Sequence, residues 1–319
     1  MTSPSKPPRS VLITGCSAGG IGDALAQEFK RRGLRVFATA RDVGKMAHLE
    51  KLAIELLELD VTDEESAARA AAEVGRRTGE RLDILVNNSG AGYMVPITDS
   101  KLSTARNLFE TNLFSIFIVT SAFMPFLIES RGLVVNNSSG NDRIPSAYHS
   151  WYNASKAAVT NLGDSMRLEF APLGVRVVTI VTGSVKTKFM SNVVNFKEAA
   201  VTPTETEAAS QESAPAPKPS EYQLIPPTSY YYPLRDVIEK REWMFETMKP
   251  LDVDIYAQRV VGDLLGNPSP RIYRGSASSL AWALAKFVPQ GWLDGYLRKM
   301  SGLNTLEPNF PKKNPAETS

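Results

Sequence analysis

With one cysteine, two histidines and no dense run of either charge, this 319-residue chain has few means of holding a disulfide, a metal ion or a nucleic acid. Cys16 has no partner for an internal disulfide, which fits a reducing compartment. His48 and His149 lie far apart in sequence, with no Cys or carboxylate at ligand spacing, so no metal site is expected. The 36 basic residues face 34 acidic ones, a net charge of +2, without the Lys/Arg stripe that a nucleic-acid-binding surface needs. Met1 to Ser10 is polar and Pro-rich, and the apolar run after it stops at Gly15, too short for a secretory core; a cytoplasmic protein is expected. What remains, 43% hydrophobic and 22% charged residues, is the composition of a soluble globular protein.

Along the chain, apolar β-like runs alternate with helical spacing. Ser10 to Ile13 meets a glycine cluster, and Asp23 to Arg32 follows with helical spacing at Leu25, Ala26 and Phe29. Arg35 to Thr39 and Leu56 to Leu59 read as strands, Glu64 to Arg77 as an alanine-rich helix and Leu82 to Val86 as a strand. One long helix is expected over Leu102 to Glu129. After it come a strand at Leu133 to Asn136, a helix over about Tyr152 to Phe170 and a strand at Val175 to Val181. This alternation predicts one α/β doubly wound (Rossmann) domain, a parallel sheet with helices on both faces.

Residues 1–9 are expected to be a disordered N-terminus and 10–190 the core. Residues 191–275 form a substrate-side segment that completes the domain. Within it 199–220, rich in Ala, Pro, Thr, Ser and Glu, lacks the apolar surface to order itself. Val253 to Leu265 reads as an amphipathic helix and Arg271 to Tyr273 as a strand. Residues 276–303 form an apolar helical tail, interrupted by Lys286, Asp294 and Arg298 and split by Pro289, and 304–319 are polar. The tail carries Leu280, Trp282, Leu284, Phe287, Trp292, Tyr296 and Leu297, yet has no run of about 20 unbroken apolar residues with which to span a bilayer. Two alternatives stay open for it. It closes the substrate pocket or a dimer contact, or it lies on a membrane with tryptophans at headgroup depth and Lys286, Arg298 and Lys299 reaching outward.

Thr14-Gly15-Cys16-Ser17-Ala18-Gly19-Gly20-Ile21-Gly22 falls between the first strand and first helix, where a dinucleotide pyrophosphate docks on a helix N-terminus. Glycines there admit the phosphate close to the backbone and permit positive φ. The second strand ends Phe37-Ala38-Thr39-Ala40-Arg41, without the carboxylate that would accept a ribose 2′-hydroxyl. Arg41 is instead placed to pair with a 2′-phosphate, so NADP(H) is favoured over NAD.

In Tyr152-Asn153-Ala154-Ser155-Lys156 a phenol and an ammonium stand four residues apart on one helix face. A nearby cation favours the phenolate, so Lys156 is expected to lower the Tyr152 pKa. Ser139, in a loop after a strand, is suited to bond a substrate carbonyl and stabilise developing oxyanion charge. His149, close to Tyr152 in sequence, faces substrate or is a loop histidine, the latter being expected, and Cys16 is expected to be a packed thiol. Tyr230, Tyr231 and Tyr232 line a pocket or cover the sheet; the sequence does not choose.

In its order of motifs the sequence resembles the short-chain dehydrogenase/reductase family, over roughly Val11 to Met190. Thr14 to Gly22 matches that family's TGxxxGxG turn with one residue more, and Asp60 in Leu59-Asp60-Val61 matches its adenine contact. Asn87-Asn88-Ser89-Gly90 stands where the family has NNAG. Thr182-Gly183 replaces its Pro-Gly, with Thr187 at the place of a cofactor-contacting threonine. Asn112, Ser139, Tyr152 and Lys156 fall on its catalytic tetrad.

The resemblance implies Tyr152 as general acid in reduction, Lys156 also gripping the nicotinamide ribose, Ser139 orienting the carbonyl and Asn112 holding a relay water. It further implies a cofactor site built from Gly15, Ser17, Gly20, Ile21, Gly22, Arg41, Asp60, Asn88, Val185 and Thr187 together with Tyr152 and Lys156. More narrowly, Pro227 to Tyr231, Tyr273-Arg274-Gly275 and the tail ending Ser301-Gly302-Leu303 are similar to fungal 1-acyl-dihydroxyacetone-phosphate reductase-like members and their relatives in secondary metabolism. That similarity implies a hydrophobic carbonyl or alcohol substrate and an association with endoplasmic reticulum or lipid droplets. A homo-oligomer and a cofactor-binding scaffold without activity stay open as alternatives.

Overall fold

A computed structural model describes residues 8–189, 225–239 and 249–306. Seven strands form one parallel sheet: β1 (Ser10–Thr14), β2 (Arg35–Ala40), β3 (Glu55–Glu58), β4 (Ile84–Asn87), β5 (Leu133–Ser139), β6 (Arg176–Thr182) and β7 (Arg271–Arg274). They are arranged β3-β2-β1-β4-β5-β6-β7. The doubly wound topology read from the alternation is the one found. Chain order reverses between β1 and β4, and that reversal opens a crevice at the carboxyl ends of the strands.

Side chains alternate across the strands, so each strand feeds two cores. Val11 and Ile13 join a cluster with Leu25 and Phe29 of α1 (Ile21–Arg31) and Tyr256, Val260 and Leu264 of a helix at Val253–Leu265. Leu12 joins the opposite cluster, with Val74 of α2 (Glu64–Thr78), Phe123 and Leu127, and Val159 and Met166. Those last residues lie on α4 (Ser115–Ser130) and α5 (Ser150–Phe170). Because both faces are covered, the strands are apolar almost throughout, as a parallel sheet requires.

Where one helix was expected over Leu102 to Glu129, α3 (Leu102–Phe109) and α4 are joined by a π-helical turn at Glu110–Phe114. An inserted residue of this kind widens the turn and turns one side chain out of register; here the turn carries Asn112. This is the stretch, among the described residues, long and apolar enough to cross a bilayer, and it packs Ile116, Val119, Phe123 and Leu127 into the core. A 3-10 segment at Val43–Leu52, which the apolar spacing did not announce, follows β2.

Beyond β6, α6 (Val253–Leu265) lies against α1, and β7 pairs with β6 from Thr179↔Arg271 to Thr182↔Arg274. The tail forms two helices, α7 (Ser278–Phe287) and α8 (Gln290–Met300), separated at Pro289 as expected. Their junctions with the domain are firm. A Cβ on Gly183 would sit 2.9 Å from the Ser278 nitrogen, and the Tyr148 hydroxyl donates to the Ser301 carbonyl at 2.8 Å. The expected disordered insert 199–220 lies outside the described residues, as do 1–7 and 307–319.

Candidate active site

The glycine turn comes straight off β1. Gly15 and Gly19 have φ of +73° and +78°, the left-handed region where a side chain would be strained. A Cβ on Gly22 would lie 2.6 Å from Asn88 Nδ2, so this position has room only for hydrogen. The Gly19 carbonyl accepts the Lys188 N–H at 3.2 Å. Gly20 is the N-cap of α1 and offers no side chain to the first-turn N–H groups, and Ile21 is the first helical residue. A helix start whose N-cap carries no side chain, with Gly15 and Gly22 too crowded for a Cβ, fits the pyrophosphate of a dinucleotide.

Asp23 in the first turn is 6% exposed, and its carboxylate accepts from Gly19 N–H at 2.8 Å and from Gln27. His48, which showed no partner in sequence, stands 2.9 Å from the same carboxylate. The Ala18 N–H bonds the Lys45 carbonyl. The segment that follows Arg41 is thereby tied to the phosphate turn. Arg41 itself is exposed one residue past β2 and, among the described residues, has no ion-pair partner.

A polar chain links the other strand ends. Asn88 Nδ2 donates to the carbonyls of Thr14 and Gly15 at 2.8 and 3.2 Å. Its Oδ1 accepts from Asn137 Nδ2 at 3.0 Å. Asn137 Oδ1 accepts from Thr182 Oγ1 at 2.5 Å, and Thr182 shares a 2.7 Å hydrogen bond with the buried Tyr256 hydroxyl. Burial raises the Tyr256 phenol well above its ordinary value, so it stays protonated as a donor.

Lys156, 6% exposed, attaches to this chain by donating to the Asn137 carbonyl at 2.9 Å. Its Nζ lies 5.9 Å from the centre of the Tyr152 ring. Burial lowers its pKa from 10.5 to about 8. Tyr152 is moved upward by burial, against which its hydrogen bond with Ser139 works. The expectation that Lys156 lowers the phenol is not met by these side chains alone: desolvation outweighs what a cation at that distance contributes.

Asn112 is committed through its side chain. Oδ1 accepts from Ala91 N–H at 2.8 Å, and Nδ2 donates to the Ala91 carbonyl and to Ser155 Oγ, each at 3.0 Å. Its side-chain oxygen and nitrogen are thus both taken by protein partners. His149, expected to be a loop residue, is 8% exposed and packs its ring 6.2 Å from that of Tyr152; Phe189 stands at 6.2 Å as well. Cys16 is fully buried with its thiol pushed up to about 12, a packed group as expected.

The remaining expected residues surround the same end of the sheet. Ser17 accepts the Gly20 N–H, and Asp60 Oδ1 accepts from Thr62 N–H and Oγ1 just after β3. Val185 bridges to Leu251, and Thr187 Oγ1 accepts the Phe189 N–H at 3.2 Å. Of the three tyrosines, Tyr231 packs on Tyr148 with ring centres 6.1 Å apart, while Tyr230 is exposed. Among the described residues no cluster of His, Cys, Asp and Glu could hold a metal ion.

Residues 9–198 match the family model described as short chain dehydrogenase. This chain is a short-chain dehydrogenase. Among curated relatives, the short-chain dehydrogenase cctT of Talaromyces islandicus is 35% identical over 93% of this chain and 97% of its own. The NADPH-dependent 1-acyldihydroxyacetone phosphate reductase of Schizosaccharomyces pombe is 39% identical over 72% of this chain and 69% of its own. Among solved structures, a short-chain dehydrogenase from Streptomyces avermitilis aligns with a TM-score of 0.67 over 96% of this chain and 100% of its own, at 24% identity; it speaks for the fold. A short-chain dehydrogenase of this kind is an oxidoreductase that works on a carbonyl or alcohol with a nicotinamide nucleotide, and the glycine turn and strand-end crevice suit such a nucleotide.

Asn137, Tyr256 and Phe189 escaped the sequence reading, and Thr182 entered it only as a departure from the family pattern. Asn136-Asn137-Ser138-Ser139 carried a signal, because four polar residues in a row are out of place in a strand buried on both faces.

Proposed function

We propose that the chain reduces the carbonyl of a hydrophobic substrate with NADPH, or oxidises the corresponding alcohol, with Tyr152 as the proton-transfer group. The observation that carries this is the grouping of Tyr152, hydrogen-bonded to Ser139, with the Lys156 ammonium 5.9 Å from its ring at the crevice. Ser139 holds the carbonyl oxygen beside the phenol and stabilises its developing negative charge, and Tyr152 delivers the proton to that oxygen. Lys156 supplies positive charge next to the phenolate left behind and offers its remaining N–H donors to a ribose. Reduced nicotinamide, when bound, supplies the hydride.

Gly15, Ser17, Gly20, Ile21 and Gly22 would hold the pyrophosphate, Asp60 the adenine, and Asn88, Val185 and Thr187 the remainder of the nucleotide. The exposed Arg41 fork, with no carboxylate ending β2, supports the phosphorylated nucleotide. Phe189 against Tyr152 supplies an apolar wall beside the flat His149 ring, which supports a hydrophobic substrate. A role in secondary metabolism follows from the resemblance to fungal enzymes of that kind. A second reading, reduction of a 1-acyl-dihydroxyacetone phosphate, is favoured by the 39% identity to the fission-yeast reductase.

NADPH consumption by Tyr152→Phe against a panel of apolar ketones tests the assignment. A fall of about a hundredfold or more, with NADPH still bound, is expected from losing the acid. An unchanged rate removes Tyr152 from the mechanism, and NADPH binding by the wild type without turnover on any carbonyl or alcohol makes the chain a scaffold.

A further inference from the structure

The tail helices present an unusual outer surface. Leu280 (59% exposed), Phe287 (70%), Trp292 (81%) and Tyr296 (58%) all lie on α7 and α8, with Trp282 at 39%. They are ordered by helix geometry. Leu280 and Phe287 flank the half-buried Leu284 at i, i+4 and i+7, and Trp292, Tyr296 and Lys299, all exposed, repeat that spacing, so each helix turns a strip outward. The inward side is small: Ser278 on α7 and Leu293 on α8 are buried. A pair of helices closing a pocket would bury its rings; here Phe287, Trp292 and Tyr296 are outside, while Trp282 packs 6.1 Å from the Tyr273 ring of β7.

Charge accompanies the rings. Lys286 Nζ lies 5.1 Å from the Trp282 ring centre and 5.4 Å from that of Phe287. Arg298 and Lys299 add two cations, against Asp294 as the lone acid between residues 278 and 300. The pair is also fixed in place. One end is pressed against Gly183 after β6, and the other is held by Tyr148, four residues before Tyr152. Ala281 lies 3.8 Å from where a Gly140 Cβ would stand, immediately after Ser139. The bare strip therefore sits on the rim of the sheet end that carries the site.

We propose that the outer strips of α7 and α8 dock the protein on an anionic lipid surface, with the rings at the acyl–headgroup boundary, Lys286, Arg298 and Lys299 among the headgroups, and the crevice held at the bilayer. Rings with polar edges beside cations, on helices too short to span, have the chemistry of elements that lie in the interface rather than cross it. Docking there would let an apolar substrate pass from the bilayer to Ser139 without crossing water. The lipid contact does not depend on the reaction assigned above.

Flotation of the full chain tests this, with phosphatidylcholine vesicles carrying or lacking phosphatidylserine and no nucleotide or substrate added. The wild type is expected to float with the phosphatidylserine vesicles, more weakly at high salt, with its tryptophan emission shifted to the blue. Phe287→Ser with Trp292→Ser should weaken binding at least about tenfold, and Lys286→Gln with Lys299→Gln should remove the preference for phosphatidylserine. Both double variants should keep wild-type circular dichroism and NADPH turnover on a water-soluble ketone. Wild type that stays at the bottom with both vesicles overturns the proposal. So does a wild-type dimer that the ring variant splits by light scattering without any change in flotation, which would make the strip a contact between copies. Turnover lost in Tyr152→Phe alone bears on the reaction and leaves the docking result untouched.

Discussion

Replacing Lys156 with methionine should stabilise the protein near neutral pH while ending its turnover. The ammonium is 6% exposed, and burial brings its pKa from 10.5 to about 8. At about 1.4 kcal/mol per decade of acidity, that fall is a penalty of about 3 kcal/mol on the folded state. Methionine keeps the stem's bulk without the charge but leaves the Asn137 carbonyl without its donor, a loss of about 1–2 kcal/mol. The variant should thus be more stable by about 1–2 kcal/mol near neutrality.

The sign reverses with pH. Below about pH 8 the lysine is protonated in both folded and unfolded chains, and the penalty is complete. Between about 8 and 10.5 the folded lysine has released its proton while the unfolded one keeps it, so wild-type stability rises with pH relative to the variant. Urea unfolding of both proteins across that window should show the gap close by about 2–3 kcal/mol and change sign. The raised phenols of Tyr148 and Tyr256 destabilise the fold as pH passes their ordinary value, equally in both proteins; the raised Tyr152 phenol lies beside the replaced side chain, so the pair is compared in a Tyr152→Phe background, where the difference isolates Lys156. A gap that stays constant through the window would refute a buried, charged lysine.

Three further outcomes follow from the same geometry. Arg41→Ala should cut the NADPH-over-NADH ratio of kcat/KM by about tenfold or more with little change in the NADH value; an unaltered ratio would remove Arg41 from cofactor choice. Gly22→Ala would push a methyl against Asn88 Nδ2, so calorimetric titration should show NADPH bound about tenfold more weakly. Tyr256→Phe removes the hydroxyl that shares a 2.7 Å bond with Thr182, and urea unfolding should register a loss of about 1 kcal/mol.

The sheet was legible in the sequence because buried parallel strands are continuous apolar runs, and each was placed to within two or three residues. β5 ran longer than expected, to Ser139, because its last residues are polar and pair across the strand ends instead of into a core. The π turn at Asn112 left no trace, since one inserted residue does not disturb an apolar helix such as Leu113 to Leu127. The juxtaposition of Tyr152 and Lys156, fixed by helical spacing, was readable; contacts between distant segments were not. His48 meets Asp23 only because the segment after β2 folds back on α1, and Asn112 meets Ala91 only because the turn re-aims it. The direction of the Tyr152 shift was missed for a similar reason: spacing revealed the cation but not the depth of burial.

The position of β7 and α6 bears on how this protein comes to be folded. By the end of β6 the ribosome has delivered Asn88, Asn137, Thr182 and Tyr152, yet β6 would still present an open edge, and Leu25 and Phe29 of α1 would lack Tyr256, Val260 and Leu264. A nascent chain halted there holds Ser139, Tyr152 and Lys156 on an incomplete, adhesive body, prone to pairing with its neighbours until some ninety further residues, through Arg274, arrive to cover it.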